Sequence, residues 1–398
     1  MIKHKKVGAS LPSMNSAIRY ANAHCALGAD LSTIQQCLTR PPASPATVNL
    51  DRLLEAVTQP YFALDTETLA ALSDGLFASL QRLVLDALDH TGLDKQQRAR
   101  TGLLVGSSSF NARASEVQYQ RALDSDQADQ ATAFPDIGYG KVAHQIQQAL
   151  GLSAHVYTYS TACTSSANAL LYAHRLLQAG LIDHAVVLGF EYFNHTSLLG
   201  FAGLNLISPS ASMRPFDPRR DGLVLGEGCG VLLLSRASEY PAVLQLCDGA
   251  IAIDNHSLTA ANNDGSSLAG LIDKALATSG IDPCAVQAVK LHGTASMLND
   301  EAEAAALQRV FGAHKPHLFA LKPYTGHTLG ACGALELALL TGCVDGDILP
   351  GNPGLTADAA LGLSLAPTQV AAPDGYYLSN CFAFGGNNNV LVLQKTTL

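Results

Sequence analysis

Short, nearly uninterrupted apolar runs alternate along the chain with longer segments whose apolar residues recur every three or four positions. The runs include RTGLLVG, AHVYTYS, HAVVLGFE, CGVLLLSRA, AVLQLCDGAIAID, AVQAVKLHG, HLFALK, YYLSNCFAFGG and NVLVLQK. Runs that do not alternate polar with apolar positions belong to strands covered on both faces. The helical spacing predicts helices over 66–90, 138–150, 164–179, 264–279, 299–311 and 327–341. In the first of these, Leu69, Leu72, Leu76, Leu80 and Leu83 share one face. Near the N-terminus, NSAIRYANAHCALGADLSTIQQCL reads as a strand followed by a helix. The polar stretch NARASEVQYQRALDSDQADQATAFPD interrupts the order and belongs on the surface or at an interface.

Strands alternating with helices predict an α/β protein with buried sheets. The pattern also repeats coarsely: residues 1–236 and 237–398 each hold an αβ layer, joined near SRASEYPAV. The halves are expected to stack helices between two sheets, with reactive residues converging at the seam, because open α/β sheets bind ligands beyond their strand ends.

Composition narrows the picture. Charged residues make up only 14% of the 398 and apolar ones 48%, which favours a chain that buries surface against another subunit. The net charge of −9 excludes general nucleic-acid binding, which needs a basic footprint. The basic start MIKHKKVGASLPSM lacks the apolar stretch of a secretory signal. No apolar run approaches the ~20 residues of a membrane span. A cytoplasmic protein is expected. Its nine cysteines are scattered and never form a C-x-x-C pair, so neither a disulfide framework nor a zinc knuckle fits.

Three segments carry candidate chemistry. In YTYSTACTSSANALLYAHRLL, Cys163 sits where a strand ends and a helix begins, followed by Thr164, Ser165 and Ser166. Such a site lowers a thiol pKa and offers amide groups to an oxyanion. The junction alone favours a small buried structural cysteine. VKLHGTASMLNDEAEA places His292 after an apolar strand, and LKPYTGHTLGACGALELALL places His327 before a glycine-rich helix. With Cys163 they form a nucleophile and two hydrogen-bond donors. In SNCFAFGGNNNVLVL, the Gly385-Gly386 pair bends the chain so that amides near Phe384 face a substrate oxygen. A metal site from His292, His327 and Glu301 or Glu336 lacks any ligand spacing, and no G-x-S-x-G or P-loop pattern occurs.

Five ordered motifs, TACTSSANAL, RPFDPRRDGLVLGEGCGVLLL, HGTASMLNDEAE, KPYTGHTLGACGALE and NCFAFGGNNN, resemble those of the β-ketoacyl-[acyl-carrier-protein] synthases of the thiolase-like superfamily. The resemblance implies a thiolase-like fold of duplicated αβ layers in a five-layered αβαβα arrangement. It implies that Cys163 accepts the acyl group, that His292 and His327 polarise the malonyl thioester, and that Lys322 and Glu336 organise charge around His327. Phe384 would supply an oxyanion amide beside that of Cys163 and gate the acyl pocket. Thr294 and Ser296 would line the phosphopantetheine tunnel, and Ser109, Phe110 and Phe216 would contact substrate, Ser109 at the pocket floor. The implied reaction is decarboxylative condensation needing no metal or diffusible cofactor, since its substrates ride on the phosphopantetheine of an acyl carrier protein. The implied partners are that carrier and an identical or related subunit, docked through the sheet edge preceding Cys163. The alternative is a chain-length-factor-like partner subunit, a class that usually lacks the cysteine. Cys381, Ala383, Asn387 and Asn389 depart from the commoner residues of the last motif and point to a polyketide or aryl-polyene pathway rather than housekeeping fatty-acid synthesis.

Overall fold

The apolar runs form strands, and the strands hydrogen-bond into one sheet. The computed structural model describes residues 15–50, 57–64, 76–124, 138–153, 155–257 and 261–397. Its sheet strands are β1 (Ser16–His24), β2 (Thr101–Gly106), β3 (Val156–Tyr159), β4 (His184–Glu191), β5 (Gly228–Arg236), β6 (Leu244–Ile253), β7 (Val286–Lys290), β8 (His317–Phe319), β9 (Gly375–Phe382) and β10 (Asn387–Lys395). Their spatial order is β8-β7-β9-β10-β6-β1-β5-β4-β2-β3.

Each half repeats one topology. The third strand lies at the edge, followed by the second, fourth, fifth and first. Third, second and fourth run parallel, while the fifth is antiparallel to both its neighbours. The halves join at one corner, where Ser16 faces Leu246 and Ala17 faces Gln245.

The helices longer than eight residues are α1 (Leu76–His90), α2 (Ala112–Asp124), α3 (Lys141–Leu150), α4 (Ser165–Gln178), α5 (His195–Gly203), α6 (Ser266–Ser279), α7 (Met297–Phe311) and α8 (Cys332–Asp345), and the helix expected after β1 is a short one, Leu31–Cys37. Alternation along each strand sorts the side chains into layers. In β2, Leu104 joins the central core with Leu170 and Leu171 of α4, Leu335 of α8 and Leu391 of β10. Leu103 and Val105 point the other way, onto Leu80 and Val84 of α1 and Ile146 of α3. In the second half, Val289 and Leu378 pack outward against Ile272 of α6 and Leu307 of α7. The layers are therefore helix, one half of the sheet, helix, the other half of the sheet, helix. Each fully buried leucine stabilises them by roughly 1.5–3 kcal/mol.

Several elements differ from the sequence reading. The helix expected over 327–341 begins only at Cys332, because Gly326 (φ +68°) and Leu329 (φ +43°) take left-handed conformations that a helix cannot hold. The glycines there serve close approach: any side chain on Gly333 would run into the Ala167 backbone of α4. The polar stretch from Asn111 is helical as α2, and its continuation over 125–136 lies outside the described residues. Leu69 and Leu72, assigned to the first helix, lie outside them too. No helix among the described residues is long and apolar enough to cross a membrane.

Candidate active site

The strand β3 ends four residues before Cys163, and the turn between them is strained. Ala162 holds φ +52°, a conformation that costs a non-glycine residue about 1 kcal/mol or more. Ser165 Oγ pins the turn by accepting from Thr161 N (2.9 Å) and donating to Ala162 O (2.6 Å). Thr164 occupies the N-cap of α4 without capping it; its hydroxyl reaches Thr161 O and Asn387 Oδ1, each at 2.8 Å. Asn168 Nδ2 also donates to Asn387 Oδ1 (3.0 Å), and Asn389 Nδ2 donates to Asn168 Oδ1 (2.9 Å). The unusual asparagines at the start of β10 thus fasten the nucleophile turn to the second half. Cys163 is 3% exposed, and burial pushes its thiol up to about 12 against the pull of the Phe384 amide and the Lys322 ammonium. The lowered thiol expected from the helix start is not found. Desolvation outweighs both pulls, so the resting thiol is neutral.

The histidine turns are held by carboxylates and backbone. His292 N and Gly293 N donate to Glu303 of α7 at 2.9 and 3.0 Å, and Asn380 Nδ2 joins them at 3.0 Å. Thr294 N (3.2 Å) and Phe216 N (2.8 Å) donate to Asp300, one turn earlier on α7. His327 is threaded beside Leu223–Gly226, donating to Val224 O (2.8 Å) and accepting from Gly226 N (3.1 Å). Gly326 permits this approach: a side chain there would strike Leu225 O and the Phe62 ring. The result sets His327 Nε2 3.1 Å from Cys163 Sγ, with the His292 and His327 rings 5.5 Å apart and nearly perpendicular.

Behind the histidines lies a buried charge cluster. Lys322 Nζ donates to Glu336 Oε1 (2.7 Å) and His292 O (2.7 Å), and lies 3.3 Å from His292 Nδ1. Lys290 Nζ donates to the other oxygen of Glu336 and to Asn380 O (2.6 Å). Burial opposes all three charges, but the pull of Cys381 and Glu336 on the lysines, and of both lysines on Glu336, prevails, holding both lysines protonated and Glu336 ionised. Burial and then the Lys322 charge depress both histidines well below the ordinary imidazole range. Both are neutral at neutral pH. An ammonium only donates, so His292 Nδ1 is an acceptor and the ring proton sits on Nε2. His327 Nδ1 is buried and finds no partner among the described residues, so its Nε2 can serve Cys163 as donor or acceptor.

Cys163, His292, His327, Thr294 and Phe384 line one narrow cleft, together with Asn388 and Asn299. The Phe384 ring stacks on Phe201 of α5 at 5.6 Å. Lys322 and Glu336 stand directly behind the cleft, and Ser296 meets Thr294 Oγ1 at 3.1 Å without lining it. Ser109, Phe110 and Phe216 do not line it either. Ser109 turns its amide (2.9 Å) and hydroxyl onto Glu191, at the end of β4. Phe110 packs on Phe190 and Tyr139 in the outer core of the first half. Phe216 is fully buried and acts through Asp300. Sequence reasoning passed over Lys290, Glu303, Asp300 and Glu191. The available signal was a lone charge in an apolar run, as in AVQAVKLHG and HAVVLGFE, since charges are buried only when paired.

Comparison with known proteins agrees with this geometry. The family models described as Beta-ketoacyl synthase, N-terminal domain and C-terminal domain match residues 60–240 and 245–356. A 3-oxoacyl-[acyl-carrier-protein] synthase 2 of Staphylococcus aureus (strain COL) is 28% identical over 315 residues, covering 74% of this chain and 75% of that protein. The Vibrio cholerae protein of that name is 26% identical over 331 residues, covering 78% and 80%. Among solved structures, a ketosynthase of Xenorhabdus doucetiae in complex with its chain length factor superposes with a TM-score of 0.79 at 25% identity, covering 98% of this chain and 100% of that one. A β-ketoacyl synthase of Burkholderia phymatum gives 0.81 at 25% identity, covering 96% and 100%.

Proposed function

The chain belongs to the β-ketoacyl synthase family, and on that premise we propose that it is an acyltransferase joining an acyl group to malonyl-[acyl-carrier-protein] by decarboxylative Claisen condensation. The observation that carries the reading is His327 Nε2 at 3.1 Å from Cys163 Sγ, in a cleft shared with His292 and the Phe384 amide. In the first half-reaction Cys163 sulfur attacks the thioester of an acyl-carrier protein. The thiol proton passes through His327 to the departing carrier thiolate. The oxyanion is held by the Phe384 and Cys163 amides, each such donor being worth about 3–4 kcal/mol of barrier.

In the second half-reaction the Nε2–H groups of His292 and His327 donate to the malonyl thioester oxygen. The bond to the carboxylate breaks, carbon dioxide leaves, and the electron pair becomes an enolate. That carbon attacks the acyl carbonyl and expels the Cys163 thiolate. Carbon–carbon bond formation is thereby driven by decarboxylation, without a metal or a diffusible cofactor.

Thr294 and Ser296 suit the approach of the phosphopantetheine arm. We place the enzyme in the cytoplasm, in polyketide or aryl-polyene synthesis, paired with an identical or related subunit. The edge strand β3 supports the pairing, since Tyr157 is 40% and the neighbouring Tyr172 42% exposed. A subunit serving only as chain-length factor is the less economical reading, because Cys163 and both histidines are present and assembled. Incubation with acyl-carrier and malonyl-carrier proteins, followed by intact-mass analysis, tests the proposal. An acyl adduct on Cys163 and a β-ketoacyl-carrier product are expected. Neither appearing would reassign the chain as a partner subunit.

A further inference from the structure

Lys290 enters the charge cluster from the last position of β7, and the reaction as written makes no use of it. Its side chain is 1% exposed and faces Glu336, Asn380 O at 2.6 Å and Cys381 Sγ at 3.8 Å. Taking a second ammonium out of water is unfavourable unless it is fully paired. Glu336 is already balanced by Lys322, so Lys290 leaves the Lys290–Glu336–Lys322 group with one net positive charge beside both histidines.

We propose that Lys290 is a positioning residue for His292: it clamps Glu336 from the side away from Lys322, so that the Lys322 ammonium stays on His292 Nδ1 and the ring presents Nε2–H to the cleft. The proposal rests on the acyl-transfer reading for its kinetic consequence but not for its geometry. Without Lys290 the free oxygen of Glu336 would be a buried anion lacking its partner. The carboxylate would rotate to place both oxygens on Lys322 and draw that ammonium off the ring.

The charged and titratable groups around His292 are Lys322 at Nδ1, His327 across the cleft, Glu303 on its backbone amide, Glu336 behind Lys322, and Lys290 with Cys381 and Cys332 beyond. The lysine charges both lower the histidine pKa. Removing Lys290 therefore raises it. Protonation of His292 fills Nδ1 and expels Lys322, so acid inactivation should set in at higher pH.

The test compares Lys290→Met with wild type in two measurements. Long-range proton–nitrogen spectra of histidine-labelled protein, with His292 assigned from its Asn variant, need no carrier protein. The expected result is a fixed Nε2–H tautomer in wild type, and a mixed tautomer titrating at higher pH in Lys290→Met. In malonyl-carrier decarboxylation, kcat should fall about 10–100-fold with KM unchanged and the acid limb moved upward, as for other groups that orient a reacting side chain. Lys290→Arg should return the acid limb toward wild type. If Lys290→Met does not fold, Lys290→Gln replaces it in both measurements. A variant with the wild-type His292 tautomer and acid limb overturns the proposal, whatever its rate. Wild-type protein that decarboxylates nothing, while the tautomer still shifts on substitution, overturns the acyl-transfer reading and leaves the positioning role standing.

Discussion

β2 and β7 are the equivalent second strands of the two halves, and both open into a turn whose amides are collected by a buried glutamate. After β2, Ser108 N and Ser109 N donate to Glu191 at 2.8 and 2.9 Å. After β7, His292 N and Gly293 N donate to Glu303. The outcomes diverge at the side chains. Both serine hydroxyls are also spent on Glu191, so that turn offers nothing to the seam. Glu303 takes the amides of its turn and the Asn380 side chain but no side chain of the turn itself, which leaves the His292 ring free for Lys322 and the cleft. Duplication supplied one backbone device; the side chains decide whether it holds structure or chemistry. The halves remain coupled, since Glu191 also accepts from Gly330 N (3.0 Å), three residues beyond His327.

The strongest way to break this contrast is to remove the reactive groups. Cys163→Ala should abolish condensation and spare malonyl-carrier decarboxylation, whereas His292→Ala and His327→Ala should each lower decarboxylation by about 10²–10⁴-fold. Product mass and released carbon dioxide read the two outcomes separately. Either histidine variant condensing at the wild-type rate would remove the chemistry from the second half.

Asp300 provides the next largest effect, through pH. Burial raises its carboxyl to about 7, against the pull of the Phe216 amide. A raised folded pKa means that its stabilisation is complete below the unfolded value of 3.8 and is lost as pH climbs through about 7. Linkage caps that loss at about 4 kcal/mol. Asp300→Asn cannot titrate, so urea midpoints should show it gaining on wild type from acid to neutral pH. A constant difference would mean that Asp300 titrates alike in the folded and unfolded chain.

The two glutamates sharpen the comparison directly. Glu191→Gln and Glu303→Gln each place an amide group against buried donors, at a cost of about 3 kcal/mol. Their activities should separate. Glu303→Gln should lower kcat by loosening His292, while Glu191→Gln should act mainly on thermal stability, with a smaller effect through Gly330. Equal activity losses at equal stability would mean that both turns serve the cleft alike.

Much of this was legible in the sequence because it rests on local pattern. HAVVLGFE reads as a buried strand and forms one over its full length. Cys163, His292 and His327 stand at strand-to-helix junctions, which predicted their convergence. Long-range pairing was not legible. Lys290 and Glu336 are 46 residues apart, and no periodicity tells which strand lysine meets which helix glutamate. The state of the thiol was not legible for a related reason: the helix start is local, whereas the burial that raises the thiol comes from residues distant in sequence. The start of the last helix was misplaced because Gly326 and Leu329 take left-handed backbone conformations set by tertiary contacts, which the periodicity does not show.

Ser109 gives the smallest and most discriminating effect. The family resemblance placed it on the floor of an acyl pocket, where isoleucine would exclude long chains and spare short ones. The structure turns its hydroxyl onto Glu191 and leaves it out of the cleft lining. Ser109→Ile then removes a donor to a buried carboxylate and adds bulk beside Phe110, which already holds φ +43°. A stability loss of about 1–3 kcal/mol is expected, with long and short acyl-carriers extended in the wild-type ratio. Ser109→Ala separates the two contributions, since it deletes the same hydroxyl without filling space. Matching stability losses in both variants, with unchanged chain preference, make Ser109 a support of the Glu191 turn. A shortened chain limit in the isoleucine variant alone would return Ser109 to the pocket floor, and the first half would then contribute to substrate selection as well as to scaffolding.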